Sequence, residues 1–255
     1  IDTVKINALA DDASVTLSTT YAMSNVEKVQ FEGATGLNND GTDITISAAQ
    51  AGMTDLILLE SQAFTDGTLN ESGGFTVTNL AADVGVTLVN QYVDATNAGQ
   101  ISVINTTTLS LADASGTADS LTVTLEGTTA QTAAENTVAA LVVSDLETLN
   151  IVSSHAGTVA LTATDDNTIT TITSDTTLTT INVSGSDEIA LTVGAVATNL
   201  TALNASTLTA DSSFTLGAGA VTVTGGTNDD VIIFGTTLNN ADTVDGGAHG
   251  TAAGD

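Results

Sequence analysis

The chain is predicted to be all-β: a β-solenoid, parallel β-helix or β-roll-like, made of short stacked strands and ending in GG-x-x-x-D turns at its C-terminal end. Three observations carry that prediction. Short Thr/Val/Ile runs alternate with Gly/Asn/Asp/Ser turns along the 255 residues, helical periodicity is rare, and proline is absent. An apolar phrase recurs with a period in the low twenties. Finally, no turn of that length can fold by itself. Burying about five aliphatic side chains yields roughly 10 kcal/mol, while ordering its backbone costs on the order of 20–40 kcal/mol. Each turn therefore needs a neighbour above and below to cover its apolar layer and complete its hydrogen bonds.

Taken in order, the strand-like runs are Val15–Leu17, Ile44–Ile46, Phe75–Val77, Val86–Val89, Ile101–Ile104, Leu121–Leu125 and Val221–Val223. Ser47–Ala51 and Thr132–Glu135 could each form a single helical turn at a corner. The recurring phrase is apolar-x-x-apolar-x-apolar. It reads Val26/Val29/Phe31, Met53/Leu56/Leu58, Leu146/Leu149/Ile151, Leu178/Ile181/Val183 and Leu200/Leu203/Ala205. Leu178 to Leu200 is 22 residues, and Leu146 to Ile169 is 23. A second apolar pair follows within the turn, at Val159/Leu161, Leu191/Val193 and Phe214/Leu216.

A coarser duplication also runs through the chain. Asp2–Ile6 parallels Asp119–Val123, and Val26–Phe31 parallels Leu146–Ile151, at offsets of 117 and 120 residues. The expected organisation is an irregular β-rich module over 1–117, a solenoid module with turns of about 22 residues over 118–224, and a short element of glycine-rich turns over 225–255.

Charge narrows the function. Lys5 and Lys28 are the only cations against 30 acidic residues, giving a formal net charge of −28. Phosphate recognition needs Lys and Arg, so nucleic acid and anionic membrane surfaces are poor partners, and no apolar run is long enough to span a bilayer. The natural partners are cations. Two carboxylates about 5 Å apart repel by roughly 3 kcal/mol at an effective dielectric of about 20, and a divalent ion reverses the sign. Cysteine is absent, which removes disulfides, zinc-thiolate sites and thiol catalysis.

Gly225-Gly226-Thr227-Asn228-Asp229-Asp230-Val231-Ile232-Ile233 follows the nonapeptide G-G-x-G-x-D-x-U-x, with Asn228 standing where glycine is expected. Asn tolerates the left-handed backbone such a turn needs. A second double glycine, Gly246-Gly247, follows Asp242 and Asp245. Small residues let carbonyl oxygens approach an ion and Asp230 adds charge, but calcium takes six to eight oxygens, so a neighbouring turn must contribute. The candidate metal site is Gly225, Gly226, Asn228, Asp230, Asp242 and Asp245, with Ca2+ as cofactor. A plain Gly/Asp turn between strands is the competing reading.

These phrases, together with Ala241–Gly247, resemble the RTX-type calcium-binding β-roll family of Gram-negative surface proteins, and more narrowly crystalline surface-layer (S-layer) proteins. The motif covers about the last thirty residues, and a long tandem run of nonapeptides is missing. The resemblance implies type I secretion, calcium-dependent folding and assembly at the cell surface. The function expected is a structural, self-assembling surface-layer or filament segment, with itself, calcium and cell-surface polysaccharide as partners. The alternative is a non-lattice stretch of a large calcium-rigidified adhesin.

The remaining constellations are weaker. Asn38–Asp43 is read as an Asx-turn loop, though its oxygens could hold a second calcium. Asp165-Asp166-Asn167 and Asp187-Glu188 are expected to be solvated corners, and His155 and His249 surface turn residues. Neither histidine pairs with a nucleophile in sequence, Trp is absent, and no G-x-x-x-x-G-K-[ST] phosphate loop occurs. An enzyme is not expected.

Overall fold

The computed structural model describes residues 2–9, 14–16, 26–33, 44–48, 53–60, 74–82, 84–90, 103–113, 115–128, 136–156, 167–194, 199–217 and 219–248. Its strands fall into two sheets. The first sheet holds β1 (Asp2–Leu9), β3 (Val26–Gly33), β5 (Asp55–Glu60), β7 (Gly85–Asn90) and β9 (Ser120–Thr128). It continues through β11 (Thr148–Ala156), β13 (Thr180–Gly185), β15 (Ala202–Leu208), β17 (Thr222–Thr224) and β19 (Thr243–Asp245). The second holds β2 (Ser14–Thr16), β4 (Ile44–Ser47), β6 (Phe75–Leu80), β8 (Val103–Leu111) and β10 (Thr137–Ser144). It ends with β12 (Asn167–Ser174), β14 (Ile189–Val193), β16 (Ser212–Thr215) and β18 (Asp230–Ile233).

Strands alternate between the sheets in chain order, and in each sheet every strand hydrogen-bonds the next one of its own set, always in parallel. That is a solenoid: each coil lays one strand on each sheet and then climbs by one rung. The predicted fold class is the one observed. Both sheets run unbroken past positions 117 and 224, through the β7–β9, β8–β10, β16–β18 and β17–β19 pairings.

The recurring phrase now has a structural meaning. In Leu178/Ile181/Val183 the first residue turns the corner inward and the next two point inward from β13, and all three are fully buried. Leu149, Ile181, Leu203 and Val223 stack in one column because their strands pair in that register. The second pair, Leu191/Val193 and Phe214/Leu216, belongs to the opposite sheet and is also buried. Strict in/out alternation along β14 follows from the two-residue period of a strand. The core is one continuous file of aliphatic layers between the sheets. Val159 and Leu161 lie outside the described residues.

Coil length is less regular than the repeat predicts. Thr148 stacks on Thr180, 32 residues on, whereas Thr180 to Ala202 is 22, Ala202 to Thr222 is 20 and Thr222 to Thr243 is 21. Corners are tied by threonine: the hydroxyls of Thr54, Thr179, Thr201 and Thr209 each donate to a backbone carbonyl of the preceding coil. No helix occurs among the described residues. The turn expected from Ser47 does not start there, because Ser47 is still strand and pairs with Thr78. Thr132–Glu135 lies outside the described residues. Lys28 bonds Asp55 on the next coil at 2.7 Å, and that hydrogen bond and the aspartate's charge raise the lysine pKa.

Candidate functional site

The glycine-rich turns form one corner, following the strands of the first sheet. Successive coils stack there backbone on backbone. Thr209 N donates to Gly185 O at 3.0 Å, Thr227 N to Leu208 O at 3.2 Å and Ala248 N to Gly226 O at 2.9 Å. Glycine is required by contact as well as by conformation. A Cβ on Gly225 would overlap the Gly246 carbonyl oxygen, and one on Gly226 would stand 2.7 Å from Leu208 O. Gly247 has φ +87°, and a Cβ there would overlap Gly226 O. The two double glycines therefore lie directly on one another, one coil apart, as their spacing implies.

Asp230 belongs to this corner. Its Oδ2 accepts from Gly226 N at 2.6 Å, and its Oδ1 accepts from Ser212 Oγ on the preceding coil. The same Oδ2 would be 2.7 Å from a Cβ on Gly225. Gly246 O and Asp230 Oδ2 thus both pack against the bare Cα of Gly225, one from the next coil and one from the same turn. Asp245 closes the neighbouring turn: its carbonyl accepts from Gly225 N at 2.8 Å and its Oδ1 from Gly247 N at 3.0 Å.

The other two candidate ligands make hydrogen bonds of their own. Asp242 lies at the opposite end of β19, three residues before Asp245, and its carboxylate accepts from Val221 N at 3.0 Å and Asn239 N at 2.7 Å. The amide of Asn228 reaches back to Thr209 O at 3.0 Å and ties the corner to the coil below. Among the described residues, no three His, Asp or Glu side chains come together as a ready-made metal cluster. The hard donors that the structure brings together here are one carbonyl oxygen, Gly246 O, and one carboxylate, Asp230.

The structure also corrects two sequence expectations. Asn167 and Asp187 are fully buried, and neither is a solvated corner residue. Asn167 donates to Ser153 Oγ at 2.8 Å and Asp187 Oδ2 at 3.2 Å, and its Oδ1 accepts from Asn136 N at 3.3 Å. Asn136 in turn donates to Leu88 O. This inner polar column satisfies backbone and side-chain groups at the turn into the second sheet. A readable signal was present: Asn136-Thr137-Val138 and Asn167-Thr168-Ile169 repeat one phrase. His155 is the second correction, being a half-buried residue of β11 opposite Gly127 rather than a turn residue. Asn38–Asp43, Asp165, Asp166 and His249 lie outside the described residues.

Replacing Asn167 by leucine is expected to cost about 2–4 kcal/mol, because it strips partners from Ser153 and from the Asp187 carboxylate inside the core. Urea denaturation monitored by circular dichroism measures it, and an unchanged midpoint would refute the structural role.

A second feature of the structure is an acidic file. Glu188, Asp211 and Asp229 immediately precede β14, β16 and β18, and their carbonyls bond the backbone of the coil before. They edge a shallow groove with Ala190, Ser213 and Val231.

Acid sensitivity has a definite locus elsewhere. Burial opposes the charge of Asp175. Donors from Thr177 Oγ1 at 2.6 Å, Thr177 N at 3.0 Å and Asp145 N at 2.7 Å outweigh it and hold the carboxyl below its ordinary value. A depressed folded-state pKa contributes stability above the ordinary carboxylate value near pH 4, and that contribution is lost as pH falls through the folded value. Asp175→Asn is expected to flatten the acid limb of the stability profile below about pH 4. A limb as steep as that of the parent chain would exclude this group.

No family model, no curated protein and no solved structure matches the chain.

Proposed function

We propose that this chain is a structural segment of an extracellular, calcium-dependent assembly: a subunit part of a bacterial surface layer or surface filament. The observation that carries the reading is the cradle over Gly225. There, two stacked double glycines bring Gly246 O and Asp230 Oδ2 together against one residue, in a contact that leaves no room for a side chain. Calcium, when bound, supplies a divalent charge that hard carbonyl and carboxylate oxygens can surround. Gly225, Gly226, Gly246 and Asp230 are the residues that would hold it, with Asp245 bracing the turn. In a chain with 30 acidic groups and two lysines, such ions also offset the repulsion between coils and between copies.

Val244 occupies the column of fully buried Val223 and is 48% exposed, and Leu238 is 61% exposed. Purified chain titrated with calcium and viewed by electron microscopy is expected to give ordered sheets or fibres that chelator dissolves. A persistent monomer across the titration would overturn assembly and favour a rigid adhesin stalk.

A further inference from the structure

The outer face of the first sheet, from β9 to β17, is unlike the rest of the surface. Ser120, Thr148, Thr180, Ala202 and Thr222 stand in one rank across five consecutive strands. Two residues along each strand, Thr122, Asn150, Asn182, Asn204 and Thr224 form a second rank in the same registers. Rungs of a parallel sheet repeat at about 4.8 Å, and alternate residues at about 6.6 Å, so the two ranks make a regular two-dimensional grid. Neither rank contains a charged residue, although the chain carries 30 carboxylates.

The threonine hydroxyls of this grid are also unspent, whereas Asn204 Oδ1 accepts from Ser206 N at 3.1 Å. Corner threonines give their hydroxyls to the coil beneath. In contrast, no hydrogen bond within the described residues uses the hydroxyl of Thr122, Thr148, Thr180, Thr222 or Thr224. Asn182 Nδ2 bonds Asn150 Oδ1 at 2.9 Å, which holds these amides in line along the ladder. The outward columns of the second sheet carry Val142, Ala190 and Val231, while the first rank carries the single apolar residue Ala202.

From this grid we infer a further function: the outer face of β9–β17 binds the surface lattice of ice. Single hydroxyl–water contacts are weak, and only a ligand that itself repeats in two dimensions on the same scale can engage all the rungs at once. Hexagonal ice presents rows of oxygens with such repeats. A face of threonine methyls and hydroxyls with the Asn150–Asn182 amide pair, held by the ladder, matches it without the cost of stripping water from a charge. A neutral glycan chain repeats in one dimension only, and the face lacks the aromatic platforms that sugars stack on. A second copy would have to mate polar groups with no complementary charge.

Freezing and melting points, with the shape of single ice crystals, test this on the monomeric fraction of the chain in millimolar calcium. The expected result is faceted crystals and a freezing gap that widens with protein concentration. Thr180→Lys and Thr222→Lys are each expected to shrink the gap about tenfold, because a buried charge at the ice contact is costly. Thr192→Lys, facing outward on the opposite sheet, adds the same charge and should leave the gap unchanged. Circular dichroism and melting curves keep folding in view for all three. Rounded crystals growing without a gap from folded parent chain would overturn the inference. So would loss, in the rank variants only, of retention on a neutral-glycan resin or of self-association, which would reassign the face. A gap that persists in chelator would sustain this inference while the calcium reading failed.

Discussion

Gly185→Val is expected to destabilise the chain by roughly 4 kcal/mol or more, the largest effect of any single surface-corner change. Gly185 has φ +124°, a backbone region that costs a side-chain-bearing residue on the order of 1–3 kcal/mol. A Cβ there would also overlap Ser153 O and stand 2.8 Å from Ser153 C and 2.9 Å from Ser153 N. Ser153 is a rung of the coil below and cannot retreat, because Ser186 N also bonds its carbonyl at 3.1 Å and its own side chain is buried. The coil above is tied in as well, since Thr209 N bonds Gly185 O. In a linear stack each coil contacts only its neighbours, so one broken interface separates two blocks. Urea denaturation should therefore change from one transition to two. Gly246→Ala is the matched control: nothing lies within 4 Å of a Cβ there, and a change within about 0.5 kcal/mol is expected. Equal effects at the two glycines would refute the contact argument.

Removing calcium is expected to have the next largest effect, confined to one end. A ligand present at a hundred to a thousand times its dissociation constant stabilises the folded state by about 2.7–4.1 kcal/mol, and chelation forfeits that amount. The loss should appear as a lower melting temperature and as faster amide exchange at Gly225, Gly226 and Gly247, whose N–H groups bond Asp245 O, Asp230 Oδ2 and Asp245 Oδ1. Amides of Leu149 and Ile181, several coils away, should exchange at unchanged rates. Asp230→Ala should abolish the difference between calcium and chelator, because it removes the one carboxylate in the cradle. Coincident melting and exchange with and without chelator would reject the calcium site, leaving Asp230 as a cap for Gly226 N and Ser212 Oγ.

Different parts of this molecule were legible to different degrees. The phrase at Leu146, Leu178 and Leu200 marked inward positions correctly because alternation along a strand is a local property: two residues of chain decide which side a group faces. The double glycines were legible for a related reason, since a corner without side chains is encoded at the corner itself. Asp242 was grouped with Asp230 and Asp245 by nearness in sequence, yet three residues of extended strand carry it to the other end of β19. Asn167 and Asp187 read as solvent-exposed turns because polar residues beside Asp and Thr usually are. Their burial arises only when Asn136 comes to lie beneath them, 31 residues earlier in the chain.

From its residues alone the chain is committed to short parallel strands, a thin aliphatic interior, tight glycine corners and a surface starved of positive charge. Stacking decided the rest. In the first sheet one rung takes from 20 residues, Ala202 to Thr222, up to 37, Val86 to Val123. Which hydroxyls align into the grid of the first sheet, and which carbonyl meets Asp230 above Gly225, therefore depends on the register between coils. That register is set by the fit of whole apolar layers against one another, an interaction between segments distant in sequence that no local pattern encodes.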